Sequence, residues 1–218
     1  MCHIDCSKSS FSNKYYAVSL GVSDKSPWDL EMAELGYQVL EYDASIDKSP
    51  YNHKNIEFHK LFIGTSKDKE KNSQLYITID DIIESYDIKQ ECYNILQIDI
   101  ENAEWEILDE LDLNKISKYF QQIIFEFHGC NPEENDGVIY RCNILKKLNQ
   151  LYYPYHVHFN NHGKIFYSNG LFFSTTIEVS YVRKNEINDN IKYKNYGIVN
   201  GLDFPVDPSA PEIPIRFT

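Results

Sequence analysis

Short apolar runs alternate along this chain with stretches whose apolar residues recur at helical spacing, and the alternation predicts strands followed by helices. Residues 15–20 form the first run, closed by Gly21. Ser26 before Pro27 reads as a helix start, because serine can accept an N–H of the first turn and proline is preset for the first helical position. Trp28, Leu30, Met32 and Leu35 carry that helix, and Gly36 stops it. Residues 37–42 follow as a strand with Asp43 at its end, which completes a β-α-β unit. Residues 56–63 alternate as a third strand. Thr78 and Asp81 have the spacing of a capping box, with Ile82, Ile83 and Tyr86 as the buried side of the helix it opens.

The stretch over 95–108 organises the rest. Ile95, Leu96 and Ile98 read as a strand buried on both faces. The pattern then turns acidic at Asp99, Glu101 and Glu104, just as it changes to helical spacing at Trp105, Leu108 and Leu111. A strand that ends in carboxylates and passes into a helix is how open α/β sheets build ligand crevices. Residues 121–128 form the next strand, closed by Gly129. Residues two apart share a strand face, so Glu126 and His128 point the same way, and Asp99 and Glu101 are expected to do so on the neighbouring strand. Burying these groups without partners would be costly. A functional site explains them, and a structural ion-pair network is the alternative.

Residues 138–151 predict a helix packed on the sheet. Residues 155–161 alternate again and set His156, His158 and Asn160 on one face; with His162 they read either as a hydrogen-bonding wall beside the pocket or as a metal cluster. Residues 172–182 are a β-branched-rich strand, and two such late strands predict an antiparallel edge on a mainly parallel sheet. Beyond Arg183 the pattern dissolves. Pro205, Pro208, Pro211 and Pro214 would share one edge of a polyproline II helix, either as a ligand for an aromatic groove or as a tail lying on its own domain or a sister subunit. The predicted organisation is a loosely held N-terminus over 1–14, one α/β domain over 15–184 and a proline-containing extension over 185–218.

Composition narrows the chemistry. At 218 residues the chain suits one sizeable core. A formal charge of −12 argues against nucleic acid as partner, since nothing basic is clustered enough to displace counterions, but leaves room for a small anionic or nucleotide-linked substrate. No apolar run approaches the roughly 20 residues of a membrane span. The start of the chain lacks the basic-then-apolar order of a secretory signal, so the expectation is a cytoplasmic protein. The five cysteines are odd in number and scattered, which suits a reducing compartment. Cys2, His3 and Cys6 invite a zinc reading, but no second ligand pair follows. The richness in Asn, Ile, Lys and Tyr resembles AT-rich coding, as in many low-GC bacteria.

The first β-α-β unit has a chemical meaning of its own. Glycine after the first strand lets a ligand approach the backbone, and the helix start offers free N–H groups. An acid after the second strand, here Asp43, can accept both hydroxyls of a ribose, or is simply a turn acid.

The run Ile98-Asp99-Ile100-Glu101-Asn102-Ala103-Glu104-Trp105 resembles the I-D-I-E-G-A-E-W motif of the FkbM-like family of S-adenosylmethionine-dependent methyltransferases. Thr78-Ile79-Asp80-Asp81-Ile82, Phe125-Glu126-Phe127-His128-Gly129, His158-Phe159-Asn160-Asn161 and residues 177–182 resemble further motifs of that family. Asn102 stands where the family has glycine, and the loop 19–24 is glycine-poor.

The resemblance implies a Rossmann-like class I methyltransferase fold: a mainly parallel central sheet with an antiparallel edge and helices on both faces. It implies S-adenosylmethionine as cofactor and methyl transfer to a sugar hydroxyl, in capsule or surface-glycan biosynthesis. On that reading Gly21, Ser23 and Asp24 line the methionine side and Asp43 holds the ribose; Asp80 joins the cofactor residues unless it only caps its helix. His128 is the expected general base, with Asp99 or Glu126 orienting it, while Glu101, His158 and Asn160 face the acceptor. In a variant, Asp99, Glu126 and His128 bind a divalent metal. Two other readings remain. A nicotinamide oxidoreductase would share the β-α-β start, although the chain lacks G-x-G-x-x-G. A catalytically inactive, methyltransferase-like binding protein would use the proline tail as its interaction element.

Overall fold

The computed structural model describes residues 14–187 and 197–215. The expectations for the first residues, including the Cys2-His3-Cys6 zinc reading, lie outside the described residues.

In chain order the elements are β1 Tyr16–Leu20, α1 Pro27–Glu34, β2 Gln38–Tyr42, β3 Ile56–His59, β4 Phe62–Ile63, α2 Ser66–Lys71, β5 Tyr76–Ile77, α3 Ile79–Ser85 and β6 Asn94–Ile98. They continue with α4 Glu104–Glu110, α5 Leu113–Tyr119, β7 Phe120–Phe127, α6 Asn135–Leu151, β8 Tyr152–Phe159, β9 Ile165–Ser168, β10 Leu171–Ser174 and β11 Ile177–Arg183. A seven-stranded sheet has the order β3-β2-β1-β6-β7-β11-β8. Its first five strands pair in parallel, and β11 pairs antiparallel with both β7 and β8. This is the Rossmann-like class I arrangement that the sequence implied.

Strand alternation sorts the core onto two faces. Val18, Leu20, Leu40, Leu96, Ile98, Ile123 and Phe125 pack with apolar residues of α3, α4, α5 and α6. Ala17, Val39 and Ile95 pack with Met32 and Ala33 of α1 on the other face. Because strand order reverses beside β1, the ends of β1 and β6 diverge from their crossover helices there, and a crevice opens.

Several local expectations change. The strand expected over 56–63 breaks after His59; Phe62 and Ile63 leave the main sheet to pair with Tyr76 and Ile77. The strand expected over 172–182 is two strands, β10 and β11, and β10 folds back on β9. Asn169 (φ +52°) and Gly170 (φ +80°) make that two-residue turn, both in the left-handed conformation that such hairpins need. β6 ends at Ile98, so Glu101 does not share a strand face with Asp99; it lies in a turn with φ +53°, followed by Asn102 at φ +80°. Ser26 precedes α1 as expected, yet its hydroxyl accepts from Ser23 N and makes no helix cap. Thr78 and Asp81 do form a reciprocal capping box on α3.

Among the described residues no helix is long and apolar enough to cross a membrane. Residues of the C-terminal extension lie on the domain: Ile213 and Ile215 are buried with Phe159, and the Asn161 amide bridges Asp207 and Ala210.

Candidate active site

A cleft of about 510 Å³ opens at the C-terminal ends of β1, β2 and β6. Gly21 forms its floor. The residue has φ +86°, and a Cβ there would stand 1.6 Å from the Asp99 carbonyl oxygen, so only glycine lets the ends of β1 and β6 meet. Asp43 lies on the cleft wall, where its Oδ2 accepts from Val22 N at 3.0 Å and its Oδ1 from Ser45 N and Oγ at 2.6 Å each. These bonds lock the carboxylate against the turn after β1. Ser23, Asp24, Gln97, Asp99 and Glu101 also line the cleft.

Beneath it, on the α1 face, Asp29 and Glu41 are 1% and 0% exposed. No donor reaches their carboxyl oxygens within bonding geometry among the described residues. Burial pushes the Asp29 carboxyl up to about 7 and raises that of Glu41. Asp29 also contributes to the cleft lining.

The second half of the site sits behind Asp99, at the end of β7. His128 Nδ1 lies 3.0 Å from Oε1 of Glu104, a residue with no exposed surface. The same Oε1 accepts from Ile100 N at 3.1 Å, which ties the β6 turn to the first turn of α4. On its other side, His128 Nε2 lies 3.8 Å from Asp99, 3.5 Å from Glu101 and 3.7 Å from Glu126. The Trp105 indole N–H donates to the His128 carbonyl at 2.7 Å, and its ring stacks on Phe127 at 4.6 Å. Helix α4 thus holds the backbone of His128 as well as its ring.

Crowding of carboxylates sets the electrostatics. Burial raises Asp99 to about 6 and Glu126 to about 7, with neighbouring carboxylates adding to both. Burial alone would pull His128 down, but the bond to Glu104 and the charges of Glu104, Glu101 and Glu126 raise it to about 9.

The structure therefore brings together Asp99, Glu101, Glu126 and His128, with Asp99 and Glu101 in the cleft and the other two behind them. Asn160 joins indirectly, donating to Glu126 Oε1 at 2.9 Å. His158 does not reach the cleft: it is 4% exposed and sits between Glu178 at 3.1 Å and Glu212 at 2.8 Å. His156 pairs with Asp203 at 2.7 Å, so the histidines of β8 do not converge on one ion. Asp80 is not among the cleft residues; its Oδ1 is 2.6 Å from Lys115 Nζ, at the start of α3. Sequence reasoning missed Asp29 altogether, and it noted Glu104 among the acids of the stretch over 95–108 without giving it a role. Glu104 reads from sequence as an acid in a first helical turn, and only the left-handed turn at Glu101 and Asn102 carries it under the imidazole.

The fold and cleft define a Rossmann-like protein with a crevice at the switch point of the sheet. The sequence profile of the methyltransferase FkbM domain matches residues 17–165, and the chain belongs to that family. It is similar to the human protein described as "Probable methyltransferase-like protein 24", 25% identical over 152 residues, which cover 63% of this chain and 40% of that protein. The chain thus spans well under half of that relative's length. A solved structure of a human methyltransferase 10 domain containing protein aligns with 83% of this chain and 75% of its own, at 12% identity and a TM-score of 0.35, a likeness too slight to bear on function.

Proposed function

We propose that this chain is an S-adenosylmethionine-dependent O-methyltransferase that acts on a sugar hydroxyl, in free or nucleotide-linked form, in the cytoplasm and in the assembly of capsule or another surface glycan. The observation that carries it is the joining of two halves: a glycine-floored, acid-walled cleft, and a carboxylate–imidazole group that reaches it through Asp99. The cleft residues fit the cofactor. Gly21 leaves room that any Cβ would fill, and Asp43 stands where a ribose diol is held in sheets of this type. Ser23 and Asp24 lie on the loop side, where they would meet the methionine portion. The bound cofactor supplies an electrophilic methyl group.

The chain's own task is to align an acceptor oxygen and take its proton. Asp99 lines the cleft and is the proton acceptor in this reading, whereas His128 stands behind it as its charge partner. That reverses the roles expected from the sequence, for a geometric reason: the imidazole is not on the cleft surface. Glu101 stands at the mouth, with 84% of its side chain exposed, where it would hydrogen-bond the acceptor. Glu126, braced by Asn160, supports His128 at the same Nε2, from behind the cleft.

The test is transfer of labelled methyl from S-adenosylmethionine to a panel of free and nucleotide-linked sugars. The expected result is S-adenosylhomocysteine formed in step with an alkali-stable methyl ether. Label found only on nitrogen or carbon acceptors, or no transfer to any acceptor, overturns the reading.

A further inference from the structure

Carboxylates gather around His128 on both sides of its ring. Glu104 approaches Nδ1, while Asp99, Glu101 and Glu126 approach Nε2 at 3.5–3.8 Å. Asp99, Glu104 and His128 each bring a ligand atom within 4.8 Å of the others, a spread that one ion can bridge. No Lys or Arg pairs with any of these carboxylates among the described ion pairs. The group is therefore rich in oxygen donors, and its compensating charge among the described residues is the His128 ring, whose proton an ion must displace in order to be ligated by it.

An independent observation concerns Glu104 itself. Its side chain has no exposed surface; Oε1 is engaged by Ile100 N and His128, but Oε2 has no hydrogen-bond partner. Leaving a fully buried carboxylate oxygen unpaired is expensive, more so beside other carboxylates. The bonds to Ile100 N and His128 satisfy one oxygen of this cluster residue and leave the other buried without a donor among the described residues. A cation supplies what the protein does not.

We propose that Asp99, Glu104 and His128 bind one divalent cation, with Glu101 on the cleft side and Glu126 behind it as supplementary oxygen donors. This set differs from that expected from sequence, in which Glu126 stood where Glu104 now does. Carboxylate oxygens with a single imidazole suit a hard ion such as Mg²⁺ or Mn²⁺ better than a thiolate-seeking one. With an ion bound, Asp99 would serve as its ligand and not as the proton acceptor, and the ion, at the edge of the cleft, could instead lower the pKa of the acceptor hydroxyl. The location rests on the site described above, but ion binding does not depend on methyl transfer.

The experiment uses the full chain, freed of metal with EDTA and exchanged into about 0.15 M salt to screen exposed acids. Mn²⁺ is titrated alone and read by electron paramagnetic resonance and calorimetry, followed by competition with Mg²⁺. The expected result is one Mn²⁺ per chain, displaced by Mg²⁺. Affinity should fall by at least roughly 10-fold in Glu104→Gln and in Asp99→Asn, since losing a ligand costs no less than losing the outer support of one. It should be unchanged in Glu106→Gln, an exposed acid on the same helix. Circular dichroism and S-adenosylhomocysteine binding, measured on each variant, report folding and the cofactor reading separately. Wild-type protein that binds no Mn²⁺ at millimolar concentration, or folded variants that all bind as the wild type does, overturns the proposal and leaves the methyl-transfer reading standing.

Discussion

Gly21, Asp99 and Asp29 show how single residues set this site. At Gly21 even one methyl group is excluded, because the left-handed backbone costs an L-residue about 1–2 kcal/mol and the Asp99 carbonyl occupies the space. Gly21→Ala should lower the melting temperature and abolish S-adenosylhomocysteine binding by calorimetry. Asp99→Asn removes the proposed proton acceptor, and turnover should fall by about 10²–10⁴, the usual worth of a general base. Full turnover in that variant would remove Asp99 from the mechanism.

Asp29 gives a pH signature. Its carboxyl is raised by burial to about 7 in the folded protein, with Ser19 of β1 and Glu41 of β2 beside it, against about 3.9 when unfolded. The stability it contributes is thus complete below the unfolded value and lost as pH rises through the folded one. Asp29→Asn, which cannot ionise, should gain stability relative to wild type between pH 5 and pH 8, read as a difference in melting temperature that grows with pH.

The grouping of several candidate residues was legible at this scale. Asp99, Glu126 and His128 could be read because strand ends in α/β sheets place side chains by simple alternation. Glu104 was harder to place, since its position depends on φ +53° and φ +80° at Glu101 and Asn102; asparagine tolerates that geometry, but a glutamate does not announce it. His158 and Asp80 looked equally chemical in sequence, yet each already has an ion-pair partner from a distant part of the chain.

At the scale of elements, α4 is the brace of the site. Its Trp105 reaches the His128 carbonyl and stacks on Phe127, which in turn stacks on Phe125 at 4.6 Å. Trp105→Phe keeps the stack but leaves a buried carbonyl without its donor, a loss of about 1–3 kcal/mol. Chemical denaturation should show that loss, and turnover should fall with it because the His128 backbone is released. The strands of the parallel half were readable because each is a short apolar run ended by a turn residue. Those that broke, at Lys60-Leu61 and at Thr175-Thr176, carry no glycine or proline to mark the break. The β9–β10 hairpin had a mark, Asn169-Gly170, but flanking strands of four residues each were too short to stand out.

Across the whole molecule, the chain closes its antiparallel edge with its own C-terminal extension. Glu212 pairs with His158 at 2.8 Å, while Ile213 and Ile215 cover Phe159. The bond to Glu178 raises His158 to about 9 against burial, with Glu212 adding to the rise. The stability this gives is full below about 6.5 and lost as pH rises through about 9. Amide protection in residues 207–215 should therefore fall between pH 7 and pH 10 by hydrogen exchange, after correction for intrinsic rates, and Glu212→Gln should weaken it at neutral pH. Sequence spacing showed the prolines of this segment but not its anchor, because the contacts that hold it are the isoleucines, Asn161 and a histidine some fifty positions earlier.

Calorimetric titration of the full chain with S-adenosylhomocysteine and, in parallel, with NAD asks whether the crevice at the ends of β1, β2 and β6 is a site for S-adenosylmethionine. One S-adenosylhomocysteine should bind per chain, with binding lost in Gly21→Ala and weakened in Asp43→Asn, and NAD should not bind. Binding of NAD in preference, or S-adenosylhomocysteine binding that survives Gly21→Ala unchanged, would contradict that assignment.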